Sequence, residues 1–474
     1  MASSSSAPAP IKLEPPAQRE VVDDEKAKEI VKGWTAQLLE HREKISQETN
    51  DGAPILCDRI RLSDKSYTAE AAKVIAAFLT EPFEGSAPIS HGIVEADLSD
   101  IIASRKTEEG LQVLQTVCDA FADSKLVDVD LSDNAIGQQG IGACKTVLDK
   151  ISLERLALCN NGLSKETMAQ VADILTNDKD GSCIAANLTK IHFYNNMSGD
   201  GGCKEFARIL EKSTKLVDIR FSSTRASKDG SDIVISALDA SMEEGRNPNI
   251  EKLDLCDNNF SNKASRDALF RALGTTKSLA YLNLCDCELE DDGVKRICHA
   301  LFESDSALEH LDFSGNGIEK QGAKHIADYI RDSGGNLKVL HLEDNEFTSK
   351  GAQSIAAAFH GSEDGHSIEV IKMNTCLMGA IGARALIDAF GPEGKDLPNL
   401  KKIFLNGNSF DEAVLGELEA AFGDRLGALD DNDSDGDADD DLSEDEDEED
   451  EQSEGPVDDA VDDLADAMGK SLVV

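Results

Sequence analysis

Short apolar segments recur along the chain, and each is followed by a polar turn and then by a longer stretch with helical spacing. The segment LERLALCNNGL, from Leu153 to Leu163, has leucine at its first, fourth, sixth and eleventh positions and asparagine at its ninth. Nine further segments share this spacing, and they begin at Leu126, Leu188, Leu216, Ile250, Leu279, Leu308, Leu337, Ile368 and Leu400. Such regular spacing predicts a short strand that turns into a helix in every copy.

This spacing is the leucine-rich-repeat template. Looser copies around Ile60 and at Ile93 raise the number of predicted strands to twelve, separated by 27 to 36 residues. Each strand and helix can bury its apolar face only against neighbouring repeats, so the stack itself is the core. We therefore predict an α/β leucine-rich-repeat solenoid of about 11–12 repeats, a horseshoe with a parallel inner sheet and outer helices.

Composition divides the chain into five parts. Residues 1–17 are rich in Ala, Ser and Pro and are predicted to be disordered, and residues 18–50 are predicted to form a helical cap anchored by Trp34, the only tryptophan. Residues 51–428 form the repeat domain. Residues 429–456 are predicted to be an acidic disordered tail, and residues 457–474 a short segment with weak helical potential.

The net charge of −45 limits the choice of partners. An acidic surface repels phosphate backbones, so nucleic acid and anionic membrane are poor candidates, and a protein with a basic surface is favoured. No apolar run approaches the roughly 18 residues of a membrane span, and the N-terminus lacks the pattern of a signal peptide. We expect a soluble intracellular protein.

The sequence contains no recognisable hydrolytic or metal-binding motif. Its eleven cysteines are scattered, and Cys287 and Cys376 occupy the ninth position of their repeats, where the buried side chain bonds the backbone of adjacent turns. Cys285 and Cys287 resemble half of a zinc site, but no second pair follows at a suitable spacing. The cysteines are therefore interpreted as structural, and the solenoid alone predicts a binding protein.

The template separates core residues from presented ones. Asn161 belongs to the buried ninth position, whereas Asn160, one residue earlier, is predicted to point outward where the strand turns toward the helix. The equivalent outward positions are Asp100, Asp133, Asn195, Ser223, Asp257, Asp286 and Asp344. Solvated turn polarity explains any one of them, while the run as a whole is a candidate partner surface.

Several of these segments resemble a known family. The motifs LSDNAIG, LCNNGLS, FYNNMSGDGG, SSTRAS, LDLCDNNFS and LNGNSF, followed by an acidic run entered through LDDND, resemble the Ran GTPase-activating proteins, and the plant members are the most similar. The resemblance covers about residues 55–455. We expect no Trp-Pro-Pro targeting domain of the plant type, because its motif is not found.

The resemblance implies that the protein binds GTP-bound Ran and accelerates GTP hydrolysis in trans, which keeps cytoplasmic Ran in the GDP form and supports nucleocytoplasmic transport. The protein would have no cofactor of its own, since GTP and magnesium belong to the GTPase. An asparagine of the family, matched here by Asn160, fixes the glutamine with which the GTPase orients the attacking water. We expect a monomer in the cytoplasm. Whether it also binds Ran-binding proteins, and whether it is placed at the nuclear envelope, is left open by the sequence.

The resemblance also implies roles for other residues. Arg105, predicted with Asn160 as a catalytic residue, matches a family arginine that contacts the GTPase and supports its switch region without entering the nucleotide site. The alternative is a surface arginine paired with Glu108 or Glu109. Further docking residues are predicted at Asp133, Asn195, Arg225, Asp257 and Asp286. Two rival functions remain open at this point: a non-catalytic interaction scaffold, and a binding protein resembling ribonuclease inhibitor that occludes an enzyme.

Overall fold

Alternating short strands and helices make up almost all of the regular structure. The computed structural model describes residues 9–48, 56–360, 366–391 and 397–432. The chain divides into two compact units, Met1–Arg225 and Ala226–Val474.

The first unit contains nine strands and six α-helices within its described residues. The strands are β1 (Ile11–Leu13), β2 (Glu20–Val22), β3 (Cys57–Arg61), β4 (Lys65–Tyr67), β5 (Glu95–Asp97), β6 (Asp128–Asp130), β7 (Arg155–Ala157), β8 (Lys190–Tyr194) and β9 (Asp218–Ser222). The helices are α1 (Asp24–Glu48), α2 (Ala69–Thr80), α3 (Thr107–Asp119), α4 (Gly137–Leu148), α5 (Lys165–Thr176) and α6 (Gly199–Lys212).

The main sheet of the first unit is parallel, in the order β1-β3-β5-β6-β7-β8-β9, and β2 pairs separately with β4. Its register places one apolar residue of each repeat strand in line, and this residue is almost fully buried in every case. The residues in line are Ile60, Ala96, Val129, Leu156, Ile191 and Ile219. Because the side chains of a strand alternate between its two faces, the neighbours of these residues face away from the core.

The second unit repeats this pattern. Its elements are α7 (Lys228–Glu243), β10 (Lys252–Asp254), α8 (Lys263–Gly274), β11 (Tyr281–Asn283), α9 (Glu290–Ser304), β12 (His310–Asp312), α10 (Lys320–Ser333), β13 (Val339–His341), α11 (Thr348–Ala358), β14 (Val370–Lys372), α12 (Ala380–Phe390), β15 (Lys402–Phe404) and α13 (Glu412–Phe422). Strands β10 to β15 pair consecutively and in parallel, without a register shift. Consecutive helices pack side by side.

Buried asparagines connect adjacent repeats, and Asn134 is representative. Its Oδ1 accepts the backbone N–H of Ile101 at 2.9 Å, and its Nδ2 donates to the carbonyl of Leu98 at 2.8 Å. Cysteine fills the same place at Cys287, whose thiol donates to the carbonyl of Leu255 at 3.2 Å. Buried backbone groups that the strands leave unpaired are thus satisfied by the ninth residue of the template.

The predicted fold class is confirmed: the protein is an α/β leucine-rich-repeat solenoid. Each described unit contributes six repeat strands, which are β3 and β5 to β9 in the first unit and β10 to β15 in the second. In the part of the chain that the structure describes, no helix is long and apolar enough to cross a membrane.

The N-terminal prediction is wrong in part. Residues 1–17 were predicted to be disordered, but strand β1 lies within them and pairs with β3, and Leu13 is fully buried. The indole Nε1 of Trp34 donates to the carbonyl of Glu14 at 3.0 Å, so helix α1 holds this segment in place. Strand β1 covers the open edge of the sheet, and this tertiary pairing outweighs the local Pro-rich composition.

The predicted end of the repeat domain at residue 428 is also wrong. Residues 429–432, assigned by composition to the tail, extend the asparagine ladder: Asn432 Oδ1 accepts the backbone N–H of Asn408 at 3.1 Å, and Asn432 Nδ2 donates to the carbonyl of Leu429 at 3.0 Å. The last repeat needs this cap because its turn would otherwise leave a donor unpaired. The rest of the predicted acidic tail and the segment 457–474 lie outside the described residues.

Candidate functional site

The residue before each ladder position adopts a left-handed backbone conformation. We call these residues the rim column; in the first unit φ ranges from 49° to 61°, and the members are Asp64, Asp100, Asp133, Asn160, Asn195 and Ser223. The second unit continues the pattern with Asp257, Asp286, Gly315, Asp344, Thr375 and Gly407. Glycine, asparagine and aspartate tolerate this conformation best. Backbone geometry therefore accounts for much of the polar and acidic character that the sequence shows at this position.

Three side chains of the rim column form a hydrogen-bonded chain on the surface of the first unit. Asn195 Nδ2 donates to Asn160 Oδ1 at 2.9 Å, and Asn160 Nδ2 donates to Asp133 Oδ1 at 2.7 Å. All three residues are exposed. We call this arrangement the amide chain (Asp133, Asn160 and Asn195).

The amide chain fixes which way the Asn160 carboxamide faces. An ionised Asp133 can only accept, so the NH2 group of Asn160 must point toward it and the carbonyl must point toward Asn195. Asn160 keeps one N–H and one lone pair of its carbonyl oxygen for an outside group. A partner therefore meets an amide that is oriented before binding and can both donate and accept.

Asp100 extends the rim column beyond the amide chain, and it has a basic partner that the sequence did not indicate. Its Oδ2 lies 2.6 Å from a guanidinium nitrogen of Arg19, in the N-terminal segment. Burial raises the pKa of the Asp100 carboxyl above its ordinary value, the charge of Arg19 lowers it, and nearby Asp133 raises it further. This pair ties the segment before α1 to the rim of the first unit.

Arg105 follows the turn that contains Asp100, and its guanidinium is largely covered. Its Nε donates to Ser66 Oγ at 2.9 Å, its Nη1 lies 3.6 Å from Glu109 Oε1, and 16% of its side chain is exposed. The ion pair considered in the sequence interpretation is thus present with Glu109. Ser104 has φ 62°, so serine adopts the left-handed turn that glycine favours.

Charged and aromatic side chains occupy the solvent face of strands β5 to β9. Arg155 Nε lies 2.7 Å from Asp128 Oδ2, and Arg155 Nη2 lies 3.2 Å from Glu95 Oε1. The guanidinium of Arg220 lies over the ring of Tyr194, 3.8 Å from its centroid. These groups stand next to the rim column, and alternation along each strand was the signal that could have identified them.

Comparison with known proteins agrees with the repeat pattern. The family profile described as "Leucine Rich repeat" matches residues 306–327 and 336–356. RAN GTPase-activating protein 1 of Arabidopsis thaliana is 38% identical over 101 residues, which is 21% of this chain and 18% of that protein. RAN GTPase-activating protein 2 of the same plant is 35% identical over 99 residues, 21% of this chain and 17% of that protein.

The chain contains leucine-rich repeats, and about a fifth of it is similar in sequence to two Ran GTPase-activating proteins. The similarity spans less than a fifth of the length of the two curated relatives. A solved internalin from Listeria monocytogenes aligns over 77% of this chain and 79% of its own, at 13% identity and a TM-score of 0.37.

The predicted site residues fall into separate groups. Asp133, Asn160 and Asn195 are joined by hydrogen bonds, whereas Arg105 bonds Ser66 and Glu109 instead of this chain. Arg225 is exposed in the first unit, with φ 60°, directly after the ladder residue Thr224. The predicted docking residues Asp257 and Asp286 are exposed members of the rim column in the second unit.

Sequence reasoning missed two features of this surface. The Arg19–Asp100 pair joins segments about 80 residues apart, and nothing in the local pattern indicates it. The bonds that orient Asn160 were also missed, although the three residues concerned were each named. Equivalent template positions in adjacent repeats lie side by side in the stack. From this rule the hydrogen bonds between Asp133, Asn160 and Asn195 could have been predicted.

Proposed function

We propose that this protein is a GTPase-activating protein for the small GTPase Ran. It binds the GTP form and accelerates hydrolysis in trans, while Ran supplies the nucleotide, the magnesium ion and the glutamine that orients water. By keeping cytoplasmic Ran in the GDP form it supports nucleocytoplasmic transport. It acts in the cytoplasm as a monomer, without a cofactor of its own.

One observation carries this proposal: Asn160 presents an exposed amide that Asp133 and Asn195 have already oriented. A carboxamide can bond the carboxamide of the partner's glutamine through both its donor and its acceptor. Fixing that glutamine before the reaction lowers the entropy loss on reaching the transition state. Asn160 is therefore assigned the positioning of the glutamine, and Asp133 and Asn195 hold Asn160.

Arg105 is assigned a supporting role at the edge of the interface. Its side chain is already bonded to Ser66 and lies near Glu109, so it stabilises the turn that carries Asp100. Contact of the guanidinium with Ran would require it to leave Glu109. We therefore expect Arg105→Ala to affect binding of Ran more than the rate of the bound complex.

The test is single-turnover hydrolysis of GTP by purified Ran with catalytic amounts of this protein. Asn160→Gly is the most informative variant, because glycine adopts φ 50° without strain and the substitution removes only the side chain. We expect its maximal rate to fall by roughly 10² or more, the loss typical of one catalytic hydrogen-bonding group. Thr375→Gly, at the equivalent turn position in the second unit, is the matched control and keeps full activity.

A second variant separates orientation from contact. In Asn195→Asp both neighbours of Asn160 are carboxylates that can only accept, so the Asn160 amide can turn its NH2 group toward either one and is no longer held in a single orientation. We expect a lower maximal rate with little change in the concentration of protein needed for half-maximal acceleration. Failure of the wild type to accelerate hydrolysis would refute the proposal. Binding that ignores the nucleotide state would favour an occluding inhibitor.

The acidic run is proposed to steer Ran toward the protein. Residues 430–454 contain seventeen acidic residues and no basic one, and such a field accelerates encounter with a basic surface at low ionic strength. Deleting residues 433–474 keeps Asn432, which caps the last repeat. The deletion should slow association at low salt and leave the maximal rate unchanged; equal association rates would contradict steering.

A further inference from the structure

Two histidines and an aspartate converge on the solvent face of the sheet in the second unit. Strands β12 and β13 pair in register, which places Asp312 directly beside His341, and His310 lies two residues before Asp312 on the same face. One ligand atom from each of the three side chains lies within 4.8 Å of the other two. We call this group the His-Asp-His cluster (His310, Asp312 and His341).

Surrounding contacts hold the cluster in place. Asp312 Oδ1 accepts the backbone N–H of Ser314 at 3.0 Å, and Asp312 Oδ2 lies 3.1 Å from His341 Nδ1. The His310 ring stacks on Tyr281 with centroids 4.4 Å apart, and its centroid lies 5.1 Å from that of His341. A neighbouring group thus holds each potential ligand in position, as is usual for the ligands of protein metal sites.

His310 has an unusual environment for a histidine. Among the described residues its ring makes no hydrogen bond, although it is half-buried between Tyr281 and His341. Imidazole nitrogen is among the commonest protein ligands for metal ions, and a half-buried ring without a hydrogen-bond partner gains from such a contact.

We propose that His310, Asp312 and His341 bind one divalent transition-metal ion, with zinc as the best match. Two imidazoles and one carboxylate form a typical three-residue ligand set for zinc, and water takes the fourth position. With metal–ligand bonds of about 2.0–2.2 Å, tetrahedral ligand atoms stand roughly 3.4 Å apart, so small side-chain rotations complete the site. Coordination through His341 Nδ1 would replace the Asp312–His341 hydrogen bond, and the ring proton of the neutral imidazole would then lie on Nε2.

The local charges allow a cation at this place. Lys372 pairs with His341 in the strand register and would repel a metal, but its Nζ lies 3.5 Å from Glu343 Oε2. Asp312 contributes a carboxylate to the cluster, and the backbone N–H of Ser314 holds one of its oxygens at 3.0 Å. A cation at this place would therefore meet one acidic group together with the two imidazoles.

A second cluster in the same unit is the natural competitor. Cys256, Cys285 and Asp286 also bring ligand atoms together. Because thiolates and imidazoles both bind zinc, variants of each cluster are needed to distinguish the two sites.

The experiment is a calorimetric titration of the reduced full-length protein with Zn²⁺, repeated with Co²⁺ to follow its visible absorption. We expect the wild type to bind about one more equivalent than His310→Ala and His341→Ala, with tetrahedral cobalt bands that both variants lose. His192→Ala is the matched control: His192 Nε2 lies 2.7 Å from Asp218, with no third ligand close to them among the described residues. Circular dichroism verifies that each variant is folded.

The alternative outcomes are distinct. Equal stoichiometry and affinity in wild type and His310→Ala would overturn the proposal. The proposal would also be overturned if the Cys256→Ser, Cys285→Ser double variant lost the metal while His310→Ala retained it, because the thiols would then be the metal site. Retention by the double variant and by His192→Ala, with loss in both cluster variants, supports the His-Asp-His cluster as the metal site.

Discussion

Adjacent asparagines in one turn, Asn160 and Asn161, are expected to respond to substitution in opposite ways. Asn161 is 1% exposed, its Oδ1 accepts the backbone N–H of Asn134 at 2.9 Å, and its Nδ2 donates to the carbonyl of Leu131 at 3.0 Å. In Asn161→Ala the carbonyl of Leu131 keeps a bond from Asn134 Nδ2, but the Asn134 N–H loses its acceptor. One buried unsatisfied donor and the lost hydrogen bonds together cost about 2–4 kcal/mol.

Cysteine should rescue part of this loss. At Cys287 and Cys376 the ladder thiol donates to the carbonyls of Leu255 and Leu342, at 3.2 and 3.1 Å. Asn161→Cys can make the equivalent bond to Leu131, while sulfur is a weak acceptor for the Asn134 N–H. We expect it to be destabilised by about half as much as Asn161→Ala.

The free energy of unfolding is measured by urea denaturation followed by far-UV circular dichroism. Because repeat proteins can unfold in parts, hydrogen exchange at the Asn134 amide provides the local reading, and it should accelerate in Asn161→Ala. Asn160→Gly is the control and should change stability by less than about 1 kcal/mol, since glycine suits its left-handed conformation. A larger loss in Asn160→Gly than in Asn161→Ala would refute the division into presented and ladder asparagines.

Three further predictions concern stability. Trp34→Ala should destabilise the first unit by about 3–5 kcal/mol in urea denaturation, because a large buried side chain is lost, and a change below about 1 kcal/mol would contradict its role as an anchor. Arg296→Ala should cost about 3 kcal/mol because its ion pair is buried, whereas Arg384→Ala, which breaks an exposed pair, should cost under about 1 kcal/mol. Burial raises the pKa of Asp130 in the folded protein above its ordinary value of about 3.9. The contribution of this carboxyl to stability is therefore fully present below the ordinary value and is lost as the pH rises through the raised pKa. Asp130→Asn should therefore unfold at a higher temperature than wild type at pH 7 and lose this advantage in acid. Asn283, at the equivalent position of another repeat, shows that an amide fits there. An equal difference in unfolding temperature at both pH values would contradict this cause.

The site was only partly accessible to prediction. The template identified Asn160 as a presented residue because the ladder position beside it is fixed by the repeat. It could not show that Asp133 and Asn195 orient the Asn160 amide, since these bonds depend on how adjacent turns align in space. Nor could it show that Arg105 is largely covered, because Ser66 reaches it from another part of the chain.

The sequence by itself determined the repeat, its strands, its ladder positions and the solenoid class, because a fixed spacing of apolar residues can bury its surface only by stacking. Only the tertiary structure decided where the stack ends. Strand β1 pairs at one edge despite its composition, and Asn432 caps the last turn within a stretch that looks like tail. The ends of a stack are fixed by unpaired backbone groups that find partners across space, and these partners leave no periodic trace in the sequence.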